Sequence, residues 1–254
     1  KQPHMKNCVI GHTGFIGSHL AEKVVDVACY NSKNIDNIVG EQFDTIYCAG
    51  NYGTKWLANK EPEQDWENIS LLMDRISQVT AKRFVLISTI DVYKDPIGVV
   101  ELNETGQEGQ LPYGLHRYKF ERFIRNRFKN HNVLRLPIVY GRRFKKNIIF
   151  DLMNNNRVEM IDPRSQMQLY CVDNLYNDIQ KAIDNNIEVI NIAVEPITAR
   201  DLAQGIFNKT LDEKEGDFFK TDMQSQYGKL YDSNDVYLYS KEAVMKEIRE
   251  FVLN

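Results

Sequence analysis

Apolar residues along this chain fall into short β-branched runs that alternate with longer stretches in which they recur every three or four positions. The first run, Cys8-Val9-Ile10, ends at Gly11, and an amphipathic stretch through Phe15, Ile16 and Leu20 follows at once and continues over 21–26. Further strand-like runs lie at 27–30, at 43–49 before Gly50, and at 83–89, 133–137 and 187–193. Between them, 65–79 places Trp66, Ile69, Leu72, Met73 and Ile76 at helical spacing, and 113–128 reads as a helix with Lys and Arg on its outer faces. The stretch 197–202 begins another helix. Period-2 and period-3.6 patterns in alternation predict an α/β fold, a parallel sheet with helices on both faces. From Tyr140 onward the order loosens. The pattern predicts a main domain over 5–140 plus 169–195, and a small substrate lobe over 141–168 plus 196–254 at the carboxyl ends of the strands.

The strand-to-helix passage at the start carries the clearest chemistry. Gly11, Gly14 and Gly17 stand three apart, with Thr13, Phe15 and Ile16 between them. A tight glycine turn lets backbone approach a pyrophosphate, and the N–H groups of the following helix face its charge. This predicts a Rossmann-type doubly wound sheet in which residues 11 and 13–17 hold a dinucleotide. At the end of the second strand, twenty residues after Gly11, stands Asn31, where an acid would bind the 2′-hydroxyl of NAD. Asn31-Ser32-Lys33 offers hydrogen bonds and one cation without repelling a 2′-phosphate. The cofactor expected is NADP or NAD, with NADP favoured, although Lys33 also reads as a plain loop lysine.

Composition narrows the class. The chain has 254 residues, 43% of them hydrophobic and 26% charged, with a formal net charge of -3. These are values of a globular protein with one sizeable domain or one domain and an appendage. The charge supplies no field for nucleic acid. No apolar run approaches the ~20 residues of a membrane span and no secretory pattern opens the chain, so a cytoplasmic location is expected. Lys1 to His4 read as a vector remnant before Met5. Cys8, Cys29, Cys48 and Cys171 fit neither a zinc site nor a disulfide framework, so reduced, buried thiols are expected and no metal.

Motifs beyond the first turn reinforce one another. Tyr47-Cys48-Ala49-Gly50, Asn68-Ile69, Leu86-Ile87-Ser88-Thr89-Ile90-Asp91-Val92-Tyr93, Pro112-Tyr113-Gly114 and Leu134-Arg135-Leu136-Pro137-Ile138-Val139-Tyr140-Gly141 follow in order, with Cys171-Val172-Asp173-Asn174 and Asn191-Ile192-Ala193 as weaker late matches. With the glycine turn, this set resembles the extended short-chain dehydrogenase/reductase superfamily, the branch of NAD-dependent epimerases and dehydratases that works on nucleotide-activated sugars. The resemblance implies that Tyr113 exchanges a proton with a substrate oxygen while Thr89 hydrogen-bonds it. It also implies that Ala49, Gly50, Ser88, Tyr113 and Pro137 lie beside the cofactor. A phenol with a free pKa near ~10 needs a cation nearby to work at neutral pH. The family's lysine, four residues after the tyrosine, is here Arg117, one helical turn on along the same face. Arg117 keeps the charge and can reach ribose hydroxyls, but is not interchangeable with lysine. Asp91 occupies the place of an acid/base residue for epimerisation, or reads as a solvated strand-end carboxylate. Ile90, where dehydratases carry a second acid, argues against a full 4,6-dehydratase.

Downstream, Arg142-Arg143-Phe144-Lys145-Lys146 reads as a solvated face, or as cations that meet a substrate diphosphate, with Lys145, Lys146 and Asn147 as substrate candidates. The family's arginine shortly before Val172 is replaced here by Met167 or Gln168, and Arg164 is the candidate substitute. The expected activity is NAD(P)-dependent epimerisation or reduction of a nucleotide sugar by a homodimer packed through helices around Leu72 and Phe120. The alternatives are a non-catalytic NAD(P)-binding regulator or scaffold, which Arg117 favours, and a reductase of a small carbonyl compound.

Overall fold

The protein is described here by a computed structural model, which covers residues 5–51, 53–103, 105–231, 233 and 235–254. Lys1 to His4 therefore lie outside the described residues. In chain order the elements are β1 (Asn7–Ile10), α1 (Phe15–Lys23), β2 (Val27–Tyr30), β3 (Gln42–Cys48), α2 (Lys55–Lys60), α3 (Pro62–Ser77), β4 (Thr80–Thr89), β5 (Ile97–Val99) and α4 (Pro112–Arg127). Then follow β6 (His131–Leu136), β7 (Ile138–Tyr140), α5 (Ile148–Asn154), β8 (Gln166–Met167), β9 (Leu169–Cys171), α6 (Leu175–Asp184), β10 (Val189–Asn191), β11 (Ile197–Thr198), α7 (Ala199–Phe207), β12 (Asp222–Met223) and α8 (Lys241–Leu253).

The chain forms two compact units. The first comprises Lys1–Lys94, Glu104–Arg135 and Asn174–Ile190. Its sheet has the order β10-β6-β4-β3-β1-β2, and β1 pairs in parallel with both β2 and β3, as β3 does with β4. The chain leaves β1 toward one edge through β2 and returns to the other side through β3. The strand order therefore reverses between β1 and β3, the place where open α/β sheets accept ligands. One apolar layer joins the sheet to α3 and α4. Ile46, Phe84, Leu86, Ile69, Ile76, Phe120 and Ile124 are all buried in it. Each such side chain contributes roughly 1.5–3 kcal/mol. Phe120 is wholly enclosed, and Leu72 packs against the same layer.

The second unit comprises Asp95–Asn103, Leu136–Asp173 and Asn191–Asn254. Among the described residues it contains three two-stranded sheets: β7 with β9, β8 with β11, and β12 with β5. Leu169–Cys171 pairs in parallel with Ile138–Tyr140 in a two-stranded sheet of their own. Gln168 is fully buried, donating from Nε2 to Val194 O and Met223 O at 2.7 Å each and accepting from Met223 N at 2.7 Å. Glu101 accepts from Asn191 N, Ser225 Oγ and Gln226 N, which ties the β5 segment to the carboxyl-terminal third.

Candidate active site

The glycine turn has the shape its spacing predicts. Gly11 has φ +89, a conformation open to glycine, and a Cβ there would lie 2.5 Å from Ala49 O at the end of β3. A Cβ on Gly17 would lie 2.0 Å from Gly11 O. Both glycines are thus required by the packing of turn, helix and strand. Gly14 differs. Its φ of -78 suits any residue, and a Cβ would meet nothing nearer than Gly11 O at 3.4 Å. The protein leaves that position open. Helix α1 has no side-chain N-cap and no acid in its first turn, so its leading N–H groups are presented to an anion. These features fit a dinucleotide's diphosphate. Thr13 and Gly14 are exposed, and Phe15 and Ile16 are half-buried, with the Phe15 ring edge-on to His19. His12 Nδ1 sits 3.0 Å from Tyr30 O and ties the turn to β2.

Beyond β2, Asn31 Oδ1 accepts from Lys33 N at 2.9 Å, and Asn31 N donates to Asn34 Oδ1 at 2.7 Å. This closed turn leaves Ser32 and Lys33 exposed. Ser88, expected beside the cofactor, donates its hydroxyl to buried Glu121 at 2.6 Å. Glu121 is held in turn by Arg135 through Nε at 3.0 Å and Nη2 at 2.8 Å, and Arg135 Nη1 donates to the Tyr93 hydroxyl at 2.8 Å. The Ser88 side chain is therefore a member of a buried ionic network. Pro137, which directly follows β6, is buried.

At the carboxyl end of β4, Thr89, Asp91 and Tyr113 come together with two residues the sequence did not single out. The Thr89 hydroxyl donates to Asp91 Oδ2 at 3.2 Å and accepts from Asp91 N at 3.2 Å. Lys55 Nζ pairs with Asp91 Oδ1 at 2.5 Å. Tyr113 opens α4 behind Pro112 at the first turn, and its N–H donates to Asn59 Oδ1 at 2.9 Å. Gly114 makes the approach possible: a Cβ there would lie 1.9 Å from Asp91 O.

Arg117 does not extend toward solvent. It is 4% exposed, its Nη1 donates to Asp65 Oδ2 at 2.6 Å, and its guanidinium carbon lies 4.0 Å from the centroid of the Tyr113 ring. His116 Nδ1 is 2.7 Å from the same Asp65 oxygen and must donate, since a carboxylate only accepts. Burial pushes the Tyr113 phenol above its ordinary value. Arg117 pulls it down, and Asp91 and Asp65 push it up. Lys119 turns away, with Nζ 4.9 Å from the centre of the Trp66 ring.

In the second unit, Lys145 and Lys146 are exposed. Asn147 caps α5, its Oδ1 accepting from Ile149 N and Phe150 N, while its Nδ2 donates to Val139 O. Arg164 forms a bidentate pair with Asp162 at 3.1 and 2.7 Å, and its Nη2 also donates to Gly216 O. The side chains of Asn147 and Arg164 are thus engaged by the fold.

Among the described residues, no group of three His, Cys, Asp or Glu side chains could hold a metal ion, and no helix is long and apolar enough to cross a membrane. The model of the family described as NAD dependent epimerase/dehydratase matches residues 21–193, beginning just after the glycine turn. No curated protein matches the chain. Among solved structures, UDP-glucose 4-epimerase from Thermotoga maritima, crystallised with UDP-glucose, is similar at 18% identity and a TM-score of 0.75, covering 98% of each chain. The dTDP-4-dehydrorhamnose reductase of Bacillus anthracis, in complex with NADP, is similar at 16% identity and a TM-score of 0.73, covering 98% of this chain and 99% of that one. UDP-glucuronic acid 4-epimerase from Bacillus cereus, with NAD and a fluorinated sugar nucleotide, is similar at 18% identity and a TM-score of 0.67, covering 98% of both.

Proposed function

Because the chain belongs to the NAD-dependent epimerase/dehydratase family, we propose that it catalyses NAD(P)-dependent epimerisation or reduction of a nucleotide-activated sugar. The observation that carries this reading is the convergence of Thr89, Asp91 and Tyr113 at the carboxyl end of β4, in the same parallel sheet whose β1 runs into the glycine turn and whose β3 ends against it. Residues 11–17, with Ala49 and Gly50, hold the dinucleotide in this reading, and Asn31 to Lys33 meet its adenosine ribose. A bound nicotinamide supplies the hydride acceptor and donor. Tyr113 exchanges the hydroxyl proton of the sugar, Thr89 orients the same oxygen, and Asp91 serves proton transfer during epimerisation. Structural relatives bound to NAD and to NADP support either cofactor. The reading includes a second copy of the chain packed on the outer faces of α3 and α4, where Leu71 is exposed.

The test is calorimetry with NAD and NADP, followed by turnover with UDP- and dTDP-sugars monitored by proton NMR of the sugar. Binding of one dinucleotide and a sugar product that falls at least a hundredfold in Tyr113→Phe are expected. No heat with either dinucleotide, or undiminished turnover in the variant, overturns the proposal. A binding-only role is the second reading, favoured by the engagement of Arg117 with Asp65 and by a phenol pushed up. It predicts stoichiometric binding with no redox change.

A further inference from the structure

Helix α2 runs for only six residues, and two of its side chains, one turn apart, reach the candidate active site. Asn59 accepts the Tyr113 N–H at 2.9 Å, and Lys55 Nζ meets Asp91 Oδ1 at 2.5 Å. Local stability does not explain Lys55. A cation in the first turn opposes the helix dipole, and an ion pair whose members are 47% and 26% exposed contributes little to folding. Arg117, the cation on the Tyr113 ring, is turned inward onto Asp65. Lys55 is the cation that meets Asp91.

We propose that Lys55 is a positioning residue for the reaction: by holding Asp91 Oδ1 it aims Oδ2 at the Thr89 hydroxyl, and so sets the direction in which Thr89 meets the substrate oxygen. The inference rests on the reading of Thr89, Asp91 and Tyr113 as the reacting centre. The Asp91 carboxylate accepts on both oxygens, from Lys55 on one and from Thr89 on the other. Thr89 Oγ1 also accepts from Asp91 N, which leaves it one lone pair for a sugar hydroxyl. The hydroxyl is thereby presented beside Tyr113, which Asn59 of the same helix anchors. Without Lys55, Asp91 Oδ1 loses its partner, the carboxylate is free to rotate, and the Thr89 hydroxyl loses its fixed acceptor.

The test compares wild type, Lys55→Met and Lys55→Arg by steady-state kinetics with the dinucleotide and sugar that the wild type turns over, and by crystal structures of all three. A loss of kcat of at least tenfold in Lys55→Met, a KM for the dinucleotide unchanged within twofold, recovery in Lys55→Arg, and an Asp91 carboxylate turned from Thr89 in the Lys55→Met crystal are expected. Full kcat in Lys55→Met, or a carboxylate still on Thr89 in its crystal, overturns the proposal while leaving the enzymatic reading intact. Absence of turnover in the wild type overturns both.

Discussion

The Arg117 guanidinium stacks on the Tyr113 ring, its carbon 4.0 Å from the ring centroid, while its Nη1 is bonded to Asp65. The positive charge therefore acts on the phenol through the ring face and is balanced by a carboxylate within the interior. Lysine cannot reproduce this arrangement, because a planar guanidinium can stack and hydrogen-bond at once whereas an ammonium cannot.

Removing that cation strands a buried acid. Arg117 and Asp65 are 4% and 6% exposed at their side chains. Arg117→Met leaves Asp65 with the His116 ring N–H as its remaining side-chain partner, so a loss of about 3–5 kcal/mol is expected, the usual cost of breaking a buried pair. Arg117→Met combined with Asp65→Leu should recover much of it. Urea denaturation reads both. A single variant as stable as wild type would show that the pair does not sustain the fold.

The raised phenol of Tyr113 gives the pH dependence a sign. Burial disfavours the phenolate, so at neutral pH the hydroxyl keeps its proton. In the proposed reaction a protonated Tyr113 gives its proton to a carbonyl oxygen directly, whereas taking one from an alcohol requires the minority phenolate. Oxidation should accelerate by about tenfold per pH unit from about pH 6 to 9, and reduction should stay flat over the same interval. Measuring kcat in both directions decides the matter; a flat oxidation profile would remove Tyr113 as the base.

Much of the first unit was legible because its signals are local. A β-branched run that ends in glycine marks β1, and apolar residues at helical spacing mark α3 and α4. Helix α2 was not legible. Lys55-Trp56-Leu57-Ala58-Asn59-Lys60 is a single turn and a half, with Trp56 67% exposed, so it carries no apolar face. Asp65 also escaped notice, since an acid in the first turn of a helix normally faces water and complements the dipole; here it is buried. The pairing of 138–140 with 169–171 is non-local and leaves no mark in either run. Conversely, Asn147 before Ile148-Ile149 is a readable helix cap, and Arg164 two residues after Asp162 a readable local pair.

The cysteines should be inert in the folded state. Burial pushes the Cys8 thiol well up and those of Cys48 and Cys171 up to about 12, and it raises Cys29 as well. The thiolate is the reactive form. Titration of native protein with a chromogenic disulfide should therefore proceed slowly and only at Cys29, which is half-buried, with all four thiols reacting once the chain is denatured. Rapid native reaction at Cys8, Cys48 or Cys171 would show that the core opens.

The glycines of the turn separate folding from binding. Gly17→Ala would place a Cβ 2.0 Å from Gly11 O, and Gly114→Ala would place one 1.9 Å from Asp91 O. Backbone must shift in both cases, at a cost of about 1–3 kcal/mol or more. At Gly14 the nearest atom to a Cβ is 3.4 Å away and φ is ordinary, so Gly14→Ala should fold within about 1 kcal/mol of wild type. If the open space at Gly14 belongs to a diphosphate, that methyl group fills it, and the dinucleotide Kd should rise at least tenfold while the melting temperature holds. Calorimetry beside thermal denaturation reads the two quantities on one sample. A Gly14→Ala variant that binds NAD and NADP as the wild type does would place the diphosphate elsewhere.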